Sequence, residues 1–171
     1  MIDMRNKRYM LVLGIILSTI FLLSACSNVN GQSGVSGKAP GFVLDAIDGS
    51  SIDLSRVLQT KNAVLVFWAT WCPSCVGEIP HVEKYYSENG GTVAVIGINI
   101  RESKDKVASF VKKKGISYPV ALDTGGEIAA AYGVQSIPTV VAVSRNGDIL
   151  YYGHDIVQMS RTVDFKNIDK R

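Results

Sequence analysis

The sequence predicts an α/β domain with a central mixed sheet flanked by helices, and three observations point there. Two continuous apolar runs rich in β-branched residues, Ala63–Ala69 and Val93–Ile100, read as strands buried on both faces. Each precedes a segment of helical character, Cys72–Asn89 and Ser103–Lys114, and this alternation builds parallel βαβ units. Asn146-Gly147, set between the short apolar runs Thr139–Ser144 and Ile149–Gly153, marks an antiparallel hairpin at the end.

The elements follow in chain order. Met1–Arg8 is polar and basic, and Met10–Leu23 is apolar apart from Gly14, Ser18 and Thr19. That run of about 14 residues suits a signal-peptide core and falls short of the ~20 residues that span a bilayer. Val29–Lys38 is rich in Gly and Ser and reads as a flexible tether. Phe42–Leu54 holds two short apolar stretches around Asp48-Gly49, a second hairpin signal and an N-terminal extension to the sheet. In Ser103–Lys114, Val107, Phe110 and Val111 form the buried stripe, Lys112–Lys114 sit at the negative pole and Gly115 is the stop. Tyr118–Leu122 reads as a short strand and Glu127–Tyr132 as a short helix ended by Gly133. Beyond His154 the pattern predicts no element, and the tail from Asp155 lacks a visible closing helix.

Composition narrows the function. The 171 residues carry a net charge of +3. Arg5, Lys7 and Arg8 against Asp3 account for +2 of it within residues 1–25, leaving +1 for the rest. No basic stripe interleaved with aromatics is present, so nucleic acid is not an implied partner. There are three cysteines, and the odd one is Cys26, directly after Leu23-Ser24-Ala25.

Trp71-Cys72-Pro73-Ser74-Cys75 falls where a buried strand becomes a helix, a position that favours thiolate chemistry. Unpaired N–H groups and the dipole of a first helical turn stabilise a negative sulfur, and such sites hold thiols at roughly 3.5–7.5 against an ordinary ~8.5. Cys75, three residues on, shares the helix face but lies deeper. Cys72 is therefore expected to exchange first and Cys75 to resolve the mixed disulfide. Pro73 fits the first helical position. A structural disulfide closing so small a loop would stabilise little. A zinc site would need more ligands than His81 and His154 readily supply. Haem attachment requires histidine after the second cysteine, where Val76 stands. No metal or cofactor is expected.

Two resemblances go further. Leu23-Ser24-Ala25-Cys26 resembles the bacterial lipoprotein signal, which implies cleavage before Cys26 and a lipid on its sulfur, more than one acyl chain giving stable anchorage. An uncleaved signal anchor is the competing reading. Either places the body of the protein on the extracytoplasmic face of a bacterial membrane, as a signal (1–25), a tether (26–37) and a domain (38–171). The segment Phe67–Cys75 resembles the thioredoxin active site, and Ile137-Pro138-Thr139 resembles its cis-proline loop. The fuller pattern resembles the TlpA/ResA-like branch, through Ala39-Pro40-Gly41-Phe42, Asp48-Gly49, Glu78-Ile79-Pro80 and Tyr132-Gly133-Val134.

This resemblance implies a thioredoxin fold and a dithiol enzyme that reduces protein disulfides. Apocytochrome c is one substrate it suggests, a membrane thiol carrier the electron donor, and a monomer the expected state. Beside Cys72, Ile137 would offer its backbone to an extended peptide, with Trp71 as an apolar platform. Val66 stands where thioredoxins carry a buried aspartate, whereas Glu78 matches the branch's glutamate and is expected to move the proton of Cys75. The pair Pro73-Ser74 departs from members with proline next to the second cysteine. Two further readings stay open: a lipid-anchored copper chaperone on the same fold, and an oxidase running the exchange in reverse.

Overall fold

A computed structural model describes residues 37–168. The expected signal, the expected lipid site Cys26 and the tether up to residue 36 lie outside the described residues.

Five strands form the main sheet, in the order β5 (Val120–Asp123), β4 (Val93–Ile100), β3 (Asn62–Trp68), β6 (Thr139–Val143) and β7 (Ile149–Gly153). Strand β3 runs parallel to β4, and β4 parallel to β5. On the other side, β6 and β7 are antiparallel, as their Asn-Gly turn requires. A separate two-stranded hairpin, β1 (Val43–Asp45) and β2 (Ser51–Asp53), joins the β5 edge through the Ala46–Ala121 bridge. Gly37, the last tether residue by sequence, already accepts a hydrogen bond from Ile149 N–H, so the domain begins slightly earlier than expected.

The apolar run in β3 has a direct explanation. Every residue of β3 is buried, and successive side chains face opposite cores. Val64, Val66 and Trp68 join one apolar cluster with Cys75, Ile79 and Val82 of α2 (Pro73–Asn89) and with Val107 and Val111 of α3 (Lys104–Lys114). Ala63, Leu65 and Phe67 join the other with Phe42, Leu54 and Tyr132. A strand buried on both faces leaves no side for a polar alternation. Tyr132 also ties two separated motifs together: its hydroxyl donates to the Pro40 carbonyl at 2.8 Å, and its ring packs 5.3 Å from Phe67.

Two regions differ from the sequence expectation. Asp53 caps a short helix, α1 (Leu54–Leu58), by accepting from Ser55 and Arg56 N–H. The tail is helical as well. Asp155 caps α5 (Ile156–Thr162) through the Gln158 N–H, and α6 (Phe165–Ile168) follows α4 (Glu127–Ala131) and α5 in chain order. Ile156, Met159, Val163 and Phe165 are buried in the α2 cluster, so the tail closes that face of the sheet.

Candidate active site

Cys72 and Cys75 sit where β3 gives way to α2, joined as a disulfide with Cα atoms 5.2 Å apart. Cys72 is extended and caps the helix, while Pro73 takes the first helical position. The sulfur of Cys72 does there what a capping oxygen does elsewhere: the Cys75 N–H donates to it at 3.1 Å. The Ser74 hydroxyl lies 3.3 Å from the same sulfur, and the Ile137 carbonyl oxygen 3.6 Å. Oxidised Cys72 has no proton to give, so Ser74 and the Cys75 amide are the donors. Both favour the anion that forms on reduction.

Cys72 lines a groove of about 580 Å³ together with Trp71, Pro73, Ser74, Arg101 and Ile137. Cys75 does not; it is held against Ile79 and Val82 in the core. Trp71 is 67% exposed at the rim. Across the groove the Ile137–Pro138 peptide bond is cis, and the Pro138 carbonyl oxygen is 2.7 Å from His154 Nδ1. The structure thus brings Trp71, Cys72, Ile137 and Pro138 to one place.

Glu78 lies one turn after Cys75 and its side chain is 12% exposed. One carboxylate oxygen accepts from the Ile156 N–H at 2.8 Å, and the other is 3.3 Å from His81 Nδ1. It ties α2 to the start of α5, and among the described residues neither sulfur shares a hydrogen bond with it. Val66 is buried in apolar surroundings.

Glu102 belongs to no motif visible in the sequence. This buried carboxylate accepts from the Thr70 N–H and hydroxyl, both at 2.6 Å, from Asn99 Nδ2 at 2.9 Å and from Lys106 Nζ at 2.7 Å. It pins the loop before Cys72 to the end of β4. Burial pushes its pKa up, but the hydrogen bonds from Lys106, Thr70 and Asn99 win and hold it at about 2. Lys106 at i+4 was the one sequence signal, and it reads as an ordinary surface pair. Arg101, also at the rim, left no signal at all.

Residues 34–170 match the Redoxin family, a span that covers both cysteines, the proline loop and the closing helices. The chain belongs to the redoxin family. This redoxin is 39% identical over 114 residues to the thiol-disulfide oxidoreductase ResA of Halalkalibacterium halodurans, covering 66% of this chain and 64% of the relative. It is 34% identical over 133 residues to ResA of Bacillus subtilis, covering 77% and 74%. The chain therefore spans a little under two thirds of the first relative's length and about three quarters of the second's. Among solved structures, a secreted Mycobacterium tuberculosis disulfide oxidoreductase homologous to E. coli DsbE superposes with a TM-score of 0.60 at 30% identity. That match covers 67% of this chain and 83% of the other. The redoxin has the thioredoxin fold and falls in the TlpA/ResA-like branch, with Cys72–Cys75 as its thiol–disulfide centre.

Proposed function

We propose that this redoxin is an extracytoplasmic, lipid-anchored protein-disulfide reductase. The observation that carries the reading is the asymmetry of the pair: both sulfurs are nearly buried, but Cys72 lines the groove beside Trp71 and Ile137 and Cys75 does not. The Cys72 thiolate attacks one sulfur of a substrate disulfide held along the Ile137 backbone. A mixed disulfide forms and the other substrate sulfur leaves, taking a proton. Cys75 then loses its proton and attacks Cys72, releasing the second substrate sulfur as a thiol. Two electrons pass to the substrate, and a membrane dithiol carrier returns the centre to the reduced state. Glu78, a mostly buried carboxylate one turn from Cys75, is the acceptor for the resolving proton.

Kinship with ResA and the fit of an extended peptide to the Ile137 edge support apocytochrome c as the substrate, entering as a Cys-x-x-Cys-His disulfide. Leu23-Ser24-Ala25-Cys26 supports the anchor and the outer face of the membrane. The test uses the full-length protein in detergent and a disulfide peptide with the Cys-x-x-Cys-His pattern. The reduced protein is expected to reduce the peptide, and Cys75→Ser to trap it on Cys72. Trapping through Cys75 in the Cys72→Ser variant would reverse the assigned order. Stoichiometric copper binding without disulfide reduction would favour a metal chaperone instead.

A further inference from the structure

Arg101 is the one charged residue among those lining the groove of Cys72. It follows β4 directly and has φ +56°, the one non-glycine residue with positive φ among the described residues. That conformation is strained for a side-chain-bearing residue, and such strain concentrates at functional sites. The surroundings are shaped to receive it. Its N–H donates to the Asp123 carbonyl at 2.9 Å, and its Nε to the Gly125 carbonyl at 3.4 Å. Gly126 has φ +85°, and a Cβ there would collide with Arg101 Nε, so the arginine side chain lies directly against a position that glycine keeps clear.

The guanidinium so placed has no partner acid among the described residues. Glu127 is turned onto Gly125, and Glu102 is taken up by Thr70, Asn99 and Lys106. A guanidinium presents a planar fork that matches a carboxylate with two parallel hydrogen bonds. Cys72, Ile137 and Arg101 line the same groove, so a peptide lying in it meets all three.

Resting on the reductase reading above, we infer that Arg101 determines specificity by binding a carboxylate of the docked peptide. The preferred substrates are disulfide-bonded segments with an aspartate or glutamate close to the reacting cysteine. Arg101 is a binding residue and takes no part in the sulfur exchange.

The experiment compares two disulfide peptides that differ only by Glu or Gln beside the reacting cysteine, with the full-length protein in detergent. Wild type is expected to favour the Glu peptide roughly 5–10-fold in kcat/KM, chiefly through KM, with the preference shrinking as salt rises. Arg101→Gln should bring the two peptides within about 2-fold of each other, and Arg101→Lys should keep part of the preference. Arg101→Gly should lose the preference while raising Tm, because glycine suits the left-handed backbone. Equal rates in wild type, or a preference that survives Arg101→Gln, would overturn the inference. If wild type reduces neither peptide, the reductase reading fails instead. The same pair in dithiol form, oxidised by the disulfide form of the protein, then still decides the role of Arg101 by the same ratios.

Discussion

Ser74 occupies the position where the sequence departs from its nearest pattern, and the structure gives that departure a consequence. Its hydroxyl, 3.3 Å from the Cys72 sulfur, supports the thiolate and so stabilises the reduced form of the couple. Removing it in Ser74→Ala should make the couple more reducing by roughly 10–20 mV, the equivalent of about 0.5–1 kcal/mol, read by equilibration against glutathione. An unchanged potential would mean that the hydroxyl turns away once the disulfide opens. Glu102 acts on the other side of the same loop. Its pKa stands at about 2 in the fold against an ordinary 4.5, so the unfolded chain binds more protons between those values. Its contribution is complete above about pH 4.5 and is lost as pH falls towards 2. Allowing for screening through exposed Lys106, that contribution is roughly 1–2 kcal/mol. Urea unfolding of Glu102→Gln should therefore show a loss of that size at pH 7 that narrows by pH 3. A loss independent of pH would assign Glu102 to packing alone. Cys72 and Cys75 were legible in the sequence because their chemistry follows from short local spacing, and Pro138 only through the resemblance of Ile137-Pro138-Thr139 to a cis-proline loop. Glu102 was not, since its partner Thr70 is 32 residues away, and Arg101 was not, since nothing in an arginine announces a left-handed backbone.

Elements were legible where one pattern dominated. The two buried strands and the two long helices came out within a residue or so of their observed bounds, because continuous apolar runs and a clear cap or stop leave little choice. Of the short helices, α4 was legible through Glu127–Tyr132 and its Gly133 stop, but α1 and α5 were not. Helix α1 is five residues long and α5 is seven, too few for a periodic stripe to stand out. Helix α5 owes its position to a contact no local pattern contains: Glu78 of α2 accepts from the N–H of Ile156, in its first turn. The carboxylate thus serves as a cap from outside the helix, holding one of the N–H groups that a helix start leaves unpaired. Glu78→Gln keeps an oxygen able to accept that bond, whereas Glu78→Ala leaves the N–H unpaired in a half-buried site. The alanine variant should lose about 1–2 kcal/mol in denaturant unfolding and the glutamine variant well under half of that. This difference also separates structure from proton transfer. A glutamine variant that is stable yet slow in resolving the mixed disulfide, by roughly 10²-fold, places the proton on Glu78. One that is stable and unimpaired leaves Glu78 as an anchor only.

At the scale of the whole molecule, both sulfurs of the disulfide belong to one of the two apolar clusters that share strand β3, so its redox state and the stability of the fold are linked. The link is a closed cycle: oxidised and reduced forms, each folded and unfolded. Whatever the fold adds to the stability of the disulfide over the dithiol must appear as a potential more negative than that of the same pair in the unfolded chain. For a two-electron couple, 30 mV corresponds to about 1.4 kcal/mol. A reductase needs that negative shift, so its oxidised form is the more stable one. An oxidase needs the reverse, as when a fold stabilises the thiolate and makes the disulfide labile. The fold holds features of both kinds: Cys75 packed against Ile79 and Val82 favours a neutral, bonded sulfur, whereas Ser74 and the Cys75 amide favour the Cys72 anion. Apolar surroundings suit a neutral Cys75 thiol as well as a bonded sulfur, so it is the reductase reading proposed above that requires the balance to fall on the side of the disulfide. Reduction should therefore lower Tm by several degrees, reflecting roughly 1–3 kcal/mol, when matched oxidised and reduced samples are melted at pH 7. A reduced form that melts higher than the oxidised one would make this redoxin a disulfide donor, with the same residues running the exchange in the opposite direction.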